Sequence, residues 1–208
     1  MTHMNPTFLV AFGGTAVEFF ETVVIAYAIA RAGYPREAVS ATVLGHAVVF
    51  ALALTLVPLH AALPVFWLRL AAALMLCTMG GYWALKSGRR LLAGERPGWV
   101  EDPLGKVDAT PATHAAHAFS PWVFLAMAKS SVIEAGEILV IVFPAAAGSG
   151  EWSQAVAGVV AGIFAVLLAV AALHRQLKRV PEVVFKLSVG LVLFVIGLRW
   201  LLDVLRGG

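Results

Sequence analysis

The sequence predicts an all-α membrane protein with six transmembrane helices, arranged as two inverted three-helix repeats. Three observations lead to this fold class. The 208 residues are 61% hydrophobic and only 13% charged, whereas soluble domains carry about 25% charged residues. The chain contains six long apolar stretches, and the last three repeat the first three. Because the opening MTHMNPTF has no basic n-region and no small-residue cleavage site, we expect the first stretch to be a mature span, not a signal peptide.

Each apolar stretch is near the roughly 20 residues that a helix needs to cross about 30 Å of hydrocarbon. Backbone polar groups in lipid must be satisfied internally, so we expect helices and not open sheets. Residues 95–120 are rich in proline, glycine and charge, which predicts a cytoplasmic linker between a first repeat at 1–94 and a second at 121–208. The predicted spans are 8–32, 38–58, 65–86, 121–147, 152–173 and 182–205.

An internal duplication relates the two halves. Residues 8–30 align without gaps on residues 124–146, and Glu18 and Glu21 meet identical residues at 134 and 137. With one inserted residue the register continues into the later spans, where glycine, proline and tryptophan positions coincide and Arg69 meets Lys186. Because each half has an odd number of spans, the second half must enter the membrane from the opposite side, as in many secondary transporters.

Basic residues are distributed unequally between the two sides of the predicted topology, which indicates orientation by the positive-inside rule. One side has only Arg69 and Arg206. We therefore expect an integral protein of the plasma membrane (a bacterial inner membrane) with both termini outside. The basic side, assigned to the cytoplasm, collects Arg31, Arg36, Lys86, Arg89, Arg90, Arg96, Lys106, Arg175, Lys178, Arg179 and Lys186.

Four glutamates lie in the central part of predicted spans, as two Glu-x-x-Glu pairs: Glu18 with Glu21, and Glu134 with Glu137. A charged residue at a helix centre costs about 3 kcal/mol on insertion scales, so residues of this kind are usually functional. The i, i+3 spacing places both carboxylates of a pair on one face of a helix. Inverted repeats would bring the two pairs together near mid-membrane, where they would hold a metal ion or protons. The alternative is that protonated glutamates merely hydrogen-bond between helices.

Hydroxyl side chains flank both pairs and make an all-oxygen site, which suits hard cations such as calcium, magnesium or manganese. These candidate auxiliary ligands are Thr15, Thr22, Ser130 and Ser131. Cys77 is the single cysteine, which excludes an intramolecular disulfide or a Cys-x-x-Cys redox pair. We expect no resident cofactor, and the divalent ion itself as the transported substrate.

Other polar residues inside or between spans allow two interpretations each. His46 could accept protons, or make an interhelical hydrogen bond. Lys129 could compensate the carboxylates and take part in proton coupling, or extend to the cytoplasmic interface. His114 and His117 form a His-x-x-His in the linker that could bind metal, although solvated linker histidines are more common. The sequence leaves the role of these two histidines open.

The two acid pairs resemble the Golgi-type calcium/manganese–proton exchanger family of the lysine-exporter superfamily. In that family each three-helix inverted repeat opens with Glu-x-Gly-Asp, followed by Lys or Arg and then Thr or Ser. The segment Glu134-Ala135-Gly136-Glu137 matches its first four positions with Glu for Asp, and 18–21 keeps only the two acids. The basic residue is replaced by Thr22 and Ile138. The resemblance implies a six-helix exchanger of divalent cations and protons.

The acid spacing is also similar to that of high-affinity iron permeases, which carry Arg-Glu-Gly-x-Glu in two spans. Val17 and Ile133 stand where the permease pattern has its arginine, so we rank this resemblance second. It implies an iron transporter that uses the same glutamates.

Transport by a secondary mechanism is therefore the predicted function, with Mn²⁺ or Ca²⁺ exchanged for protons. No P-loop, His-Glu-x-x-His or Gly-x-Ser-x-Gly motif occurs, which disfavours ATP-driven pumping and catalysis. The expected partners are membrane lipid, divalent cations and protons, without nucleic acid, and a homo-oligomer is compatible with the sequence. The ion, the direction of flux, the coupling stoichiometry and the oligomeric state are not determined by these patterns.

Overall fold

The protein is all-helical over the residues described by the computed structural model, which are 5–60, 62–95, 119–173 and 181–206. All six helices are long and apolar enough to cross a membrane, so the predicted fold class of a six-helix membrane protein is confirmed. Most of the predicted linker and His114 and His117 lie outside the described residues. The helices are α1 (Pro6–Arg31), α2 (Pro35–His60), α3 (Val65–Ala93), α4 (Pro121–Ser149), α5 (Trp152–Leu173) and α6 (Glu182–Leu205).

The first helix of each half begins and ends with recognisable local chemistry. Asn5 caps α1 by accepting a hydrogen bond from the Thr7 amide at 2.8 Å, and Ser120 caps α4 through the Val123 amide. Proline follows each cap, where its missing N–H costs nothing. Gly150, with φ of 77°, ends α4 in the left-handed conformation that glycine adopts without strain.

The helices α1 and α4 form the centre of the molecule and run antiparallel. The hydroxyl of Thr7, at the start of α1, lies 3.1 Å from that of Ser149, at the end of α4. Near the other end, Ile25 of α1 shares a buried apolar cluster with Met127 of α4. Of the most apolar part of α1, 72% is buried, against 44% for α4 and 22% or less for the other four helices. The two halves therefore cross the membrane in opposite senses, as expected of inverted repeats.

The second helix of each half makes the same kind of contact at aligned positions. Gly45 of α2 packs against Ser131 of α4, and its aligned counterpart, Gly162 of α5, packs against Thr15 of α1. A Cβ at Gly45 would lie 2.5 Å from the Cβ of Ser131, so glycine is needed for this close helix approach. Each half therefore supplies the central helix on which the second helix of the other half packs.

The helices α3 and α6 pair with each other through a matching contact. Gly80 of α3 lies against Phe194 of α6, while its counterpart Gly197 of α6 lies against Leu76 and Cys77 of α3. Many large apolar side chains of α2, α3, α5 and α6 are exposed, including Phe50 at 65%. Exposed apolar surface on this scale is expected where a protein faces lipid.

Candidate metal centre

Three glutamates converge at the crossing of the two central helices. Carboxylate oxygens of Glu18, Glu21 and Glu134 all lie within 4.8 Å of one another. Glu18 is 0% exposed, Glu134 4% and Glu21 8%. Glu18 and Glu134 lie at the middle of α1 and α4, roughly 20 Å of helix from either end. We call these residues the three-carboxylate group, and it combines acids from both halves.

The local reason for this convergence is the helix geometry that the sequence predicts. Glu18 and Glu21 are three residues apart on α1, so their side chains leave the helix on the same face. That face meets α4, and the antiparallel crossing places Glu134 beside both. The sequence predicts that acids from both duplicated segments meet, and the structure brings three of the four glutamates together in the buried interior.

Glu137, the fourth predicted ligand, is not part of the three-carboxylate group. It is half-buried and lines a cavity of about 460 Å³ together with Glu21 and Glu134. A step of three residues rotates a side chain by about 60° and moves it about 4.5 Å along the helix. Glu137 therefore faces the cavity beside the group, one turn further along α4.

Lys186 of α6 joins the carboxylates, although the sequence did not predict it as a site residue. Its Nζ lies 2.7 Å from Oε1 of Glu21 and 3.2 Å from Oε1 of Glu18. The same ammonium lies 4.9 Å from the ring centre of the buried Trp83, within the range of a cation–π interaction. The sequence assigned Lys186 to the basic cytoplasmic side. A signal was present, since Lys186 falls inside the predicted span 182–205.

The predicted auxiliary hydroxyls divide into different environments. Only Ser130 lines the same cavity as the carboxylates. The Oγ1 of Thr22 donates to the backbone carbonyl of Glu18 at 3.3 Å. Thr15 and Ser131 are fully buried at the contacts with α5 and α2. Among the described residues, the hydroxyls of Thr15, Ser130 and Ser131 find no hydrogen-bond partner, so Ser130 is the best placed of the four to bind an ion.

Neither of the two residues predicted to aid proton coupling belongs to the three-carboxylate group. The Nδ1 of His46 lies 3.0 Å from the Thr42 carbonyl oxygen, and its ring meets the edge of Phe19. His46 lines a separate apolar pocket with Thr15, not the cavity that holds the carboxylates. Lys129 is exposed and lines the carboxylate cavity. A coupling role for either residue stays a prediction.

The carboxylate cavity extends from the three-carboxylate group towards the end of α3 and the start of α4. We call it the acidic cavity. Basic side chains share its lining, with Lys86 and Arg90 near the end of α3 and Lys129 in the third turn of α4. On the prediction of orientation from basic residues, this end faces the cytoplasm.

A second cavity of about 330 Å³ lies at the opposite end of the bundle, between Thr7, Arg69 and Ser149. A buried apolar cluster separates it from the carboxylates. The three-carboxylate group is thus bordered by a polar cavity towards one end and by packed hydrocarbon towards the other. The apolar cluster contains Val10, Val17, Leu76, Trp83, Ile141, Ala145 and Leu193.

Comparison of the chain with family models, with curated proteins and with solved structures finds no significant match. Both family resemblances of the sequence therefore remain predictions.

Proposed function

We propose that this membrane protein is a secondary transporter that exchanges a divalent cation, manganese or calcium, for protons. The observation that carries the proposal is the three-carboxylate group, which both halves form at the middle of the two central helices and which borders the acidic cavity. Buried acids in this setting are costly without a bound cation or proton. A site that must hold one or the other is suited to exchanging them.

The ligand chemistry favours a hard divalent cation. Glu18, Glu21 and Glu134 offer six carboxylate oxygens, and the hydroxyl of Ser130 borders the same cavity. Calcium and manganese prefer such all-oxygen sites, whereas soft ions prefer thiolate and thioether ligands. The single cysteine, Cys77, lies on α3 against α6 and outside the lining of the acidic cavity.

The inverted arrangement supplies a route for alternating access. The acidic cavity reaches the carboxylates from one end, and the apolar cluster between Val10 and Ile141 closes the other. Rocking of one half against the other would open the apolar cluster and close the cavity. Because the halves are inverted repeats, exchanging their conformations converts a state open at one end into a state open at the other. On the orientation predicted from the basic residues, the acidic cavity opens to the cytoplasm and the termini lie outside.

We favour transport over catalysis because the acid pairs recur at matching positions in both halves, as a transport site at the interface of inverted repeats requires. Addition of metal to the purified protein should release protons without forming a product. Formation of a new chemical species would contradict the transport assignment.

The direct test is metal-dependent proton movement in proteoliposomes that contain a pH-sensitive dye. We expect a gradient of Mn²⁺ or Ca²⁺ to drive protons into the compartment that the metal leaves, and Glu21→Gln and Glu134→Gln to abolish this movement. Glu37→Gln is the matched control, since Glu37 is also buried but contacts the Ser120 amide at the start of α4. Undiminished flux in both site variants would remove the carboxylate mechanism. Transport of Fe²⁺ in the same assay, in preference to Mn²⁺ and Ca²⁺, would support the permease-like alternative.

A further inference from the structure

Lys186 places a positive charge on the oxygens that a metal ion would use. Its Nζ lies within ion-pair distance of Oε1 of both Glu18 and Glu21. Divalent calcium and manganese bind carboxylate oxygens at about 2.0–2.6 Å. An ammonium group at 2.7 and 3.2 Å from the same two atoms fills the position of such an ion. The ammonium and a metal cannot occupy this position together.

We propose that Lys186 is a tethered counter-cation, which neutralises the three-carboxylate group when no metal is bound and is displaced when metal binds. The inference rests on the proposed function, because it takes the carboxylates as the transport site. It adds a residue from α6 that is not a metal ligand. This residue sets the affinity of the site for metal and the net charge of the site when no metal is bound.

The surroundings of Lys186 give its side chain a place to move. The lysine lines the acidic cavity, and its side chain is 22% exposed. Glu137 lines the same cavity outside the three-carboxylate group, so a displaced ammonium stays beside a negative charge. The flexible four-carbon stem of a lysine allows the ammonium to move into the cavity without movement of the helix.

The aligned residue of the first half provides a contrast within the same molecule. Arg69 occupies the position in α3 that corresponds to Lys186 in α6, but its Nε donates to the carbonyl of Gly148 at 3.2 Å. It lies at the end cavity between Thr7 and Ser149, away from the carboxylates. In the state described here, only the second half contributes its basic residue to the three-carboxylate group.

The consequence is a moderate affinity that permits release. A metal ion must replace an existing ion pair, and it gains only the difference between its own attraction and that of the ammonium. After release, the returning ammonium restores part of the compensation for the buried carboxylates. The ion-free site therefore does not have to carry the full negative charge of three acids through the change of access.

Isothermal titration of the full-length protein in detergent with MnCl₂ or CaCl₂ tests the proposal. We expect Lys186→Met to lower the metal dissociation constant by roughly tenfold or more, because a close competing charge is removed. Lys186→Arg keeps the charge and should bind metal within about threefold of the unmodified protein. Arg69→Met is the matched control and should leave the affinity unchanged.

A second measurement uses the unmodified protein and does not depend on whether a variant folds. Reductive methylation followed by mass spectrometry should show faster modification of Lys186 when Mn²⁺ is present. Lys86 lines the same cavity but lies against Tyr82 at 2.9 Å, so its modification rate should not change. Equal or slower modification of Lys186 with metal would overturn the displacement.

The outcomes separate this inference from the transport proposal. Failure of the unmodified protein to bind any divalent ion would remove the proposed function itself. Metal binding by the unmodified protein, with unchanged or weaker binding by Lys186→Met, would overturn the tethered counter-cation alone. The ion pair of Lys186 with Glu18 and Glu21 would then be a fixed structural contact.

Discussion

The ammonium of Lys186 lies 2.7 Å from the carboxylate of Glu21, although the two residues are separated by 165 positions in the chain. This ion pair joins the last helix of the second half to the first helix of the first half. Together with Glu134, it makes the polar centre of the membrane domain a product of both halves. Neither half therefore contains a complete site.

The separation of Glu134 from Glu137 predicts that the two acids contribute unequally to metal binding. Glu134→Gln removes a carboxylate of the buried group and should weaken Mn²⁺ binding by on the order of 100-fold. Glu137→Gln changes a half-buried acid beside the group and should weaken it by less than about tenfold. Titration calorimetry measures both. Equal losses in the two variants would show that Glu137 is a direct ligand.

The number and positions of the helices could be predicted from the sequence, because the thickness of the lipid sets the length of every span. The predicted spans 152–173 and 182–205 coincide with α5 and α6. The predicted third span ends at 86, and the helix α3 continues beyond it to Ala93. Its last turns carry Lys86, Arg89 and Arg90, which are compatible with a helix but not with hydrocarbon.

The candidate site could be predicted from the sequence only in part. The duplicated acid spacing predicts that Glu18, Glu21, Glu134 and Glu137 meet, because inverted repeats place matching segments against each other. The structure brings the first three together and leaves Glu137 beside them. The contribution of Lys186 depends on how α6 packs beside α1, and no local pattern encodes that contact. A lysine within an otherwise apolar span was a usable signal, but its partner could not be read from the spacing.

The antiparallel crossing of α1 and α4 predicts a specific disulfide. The hydroxyls of Thr7 and Ser149 are 3.1 Å apart, so cysteines at these positions can reach disulfide geometry. In a Cys77→Ala background, Thr7→Cys with Ser149→Cys should crosslink on mild oxidation, seen as a shifted band on a non-reducing gel. Thr7→Cys with Val123→Cys is the control, because Val123 lies about 40 Å away along α4. Crosslinking of the control pair alone would reverse the helix direction.

The contact between α3 and α6 predicts a large difference between two glycine substitutions on one helix. A Cβ at Gly80 would lie 2.5 Å from the backbone nitrogen of Phe194, whereas nothing lies within 4 Å of a Cβ at Gly88. Gly80→Ala should therefore destabilise the protein by about 1–3 kcal/mol. Gly88→Ala should be neutral or stabilising by up to about 1 kcal/mol. Unfolding in detergent measures both, and equal stabilities would contradict the close packing.

The buried Glu37 predicts a loss of stability without a loss of function. Its Oε1 accepts the Ser120 amide at 2.7 Å, and the residue is 1% exposed. Glu37→Ala leaves that amide without its acceptor and should cost about 1–3 kcal/mol of unfolding free energy. Glu37→Gln retains an acceptor oxygen and should cost less. Metal affinity should be unchanged in both variants, and a weaker affinity would place Glu37 in the transport pathway.

The position of the acidic cavity predicts which of two adjacent serines reacts with a soluble reagent. Both Ser130 and Ser131 are buried, but only Ser130 lines the cavity. In a Cys77→Ala background, Ser130→Cys should react with a small charged thiol reagent added to inside-out vesicles, whereas Ser131→Cys should not. Mass spectrometry of the labelled protein gives the extent of reaction.

The same pair of variants also tests orientation and ion binding. Reagent added to right-side-out vesicles should leave Ser130→Cys unmodified, because the apolar cluster around Val10 and Ile141 lies between the carboxylates and the other end of the bundle. Added Mn²⁺ should slow the reaction from the cytoplasmic side, since an ion on Glu21 and Glu134 would occupy the inner part of the cavity. Reaction of Ser130→Cys from the outer side alone would reverse the orientation. Equal reaction of the two cysteines would contradict the prediction that position 130 is open to the cavity and position 131 is not.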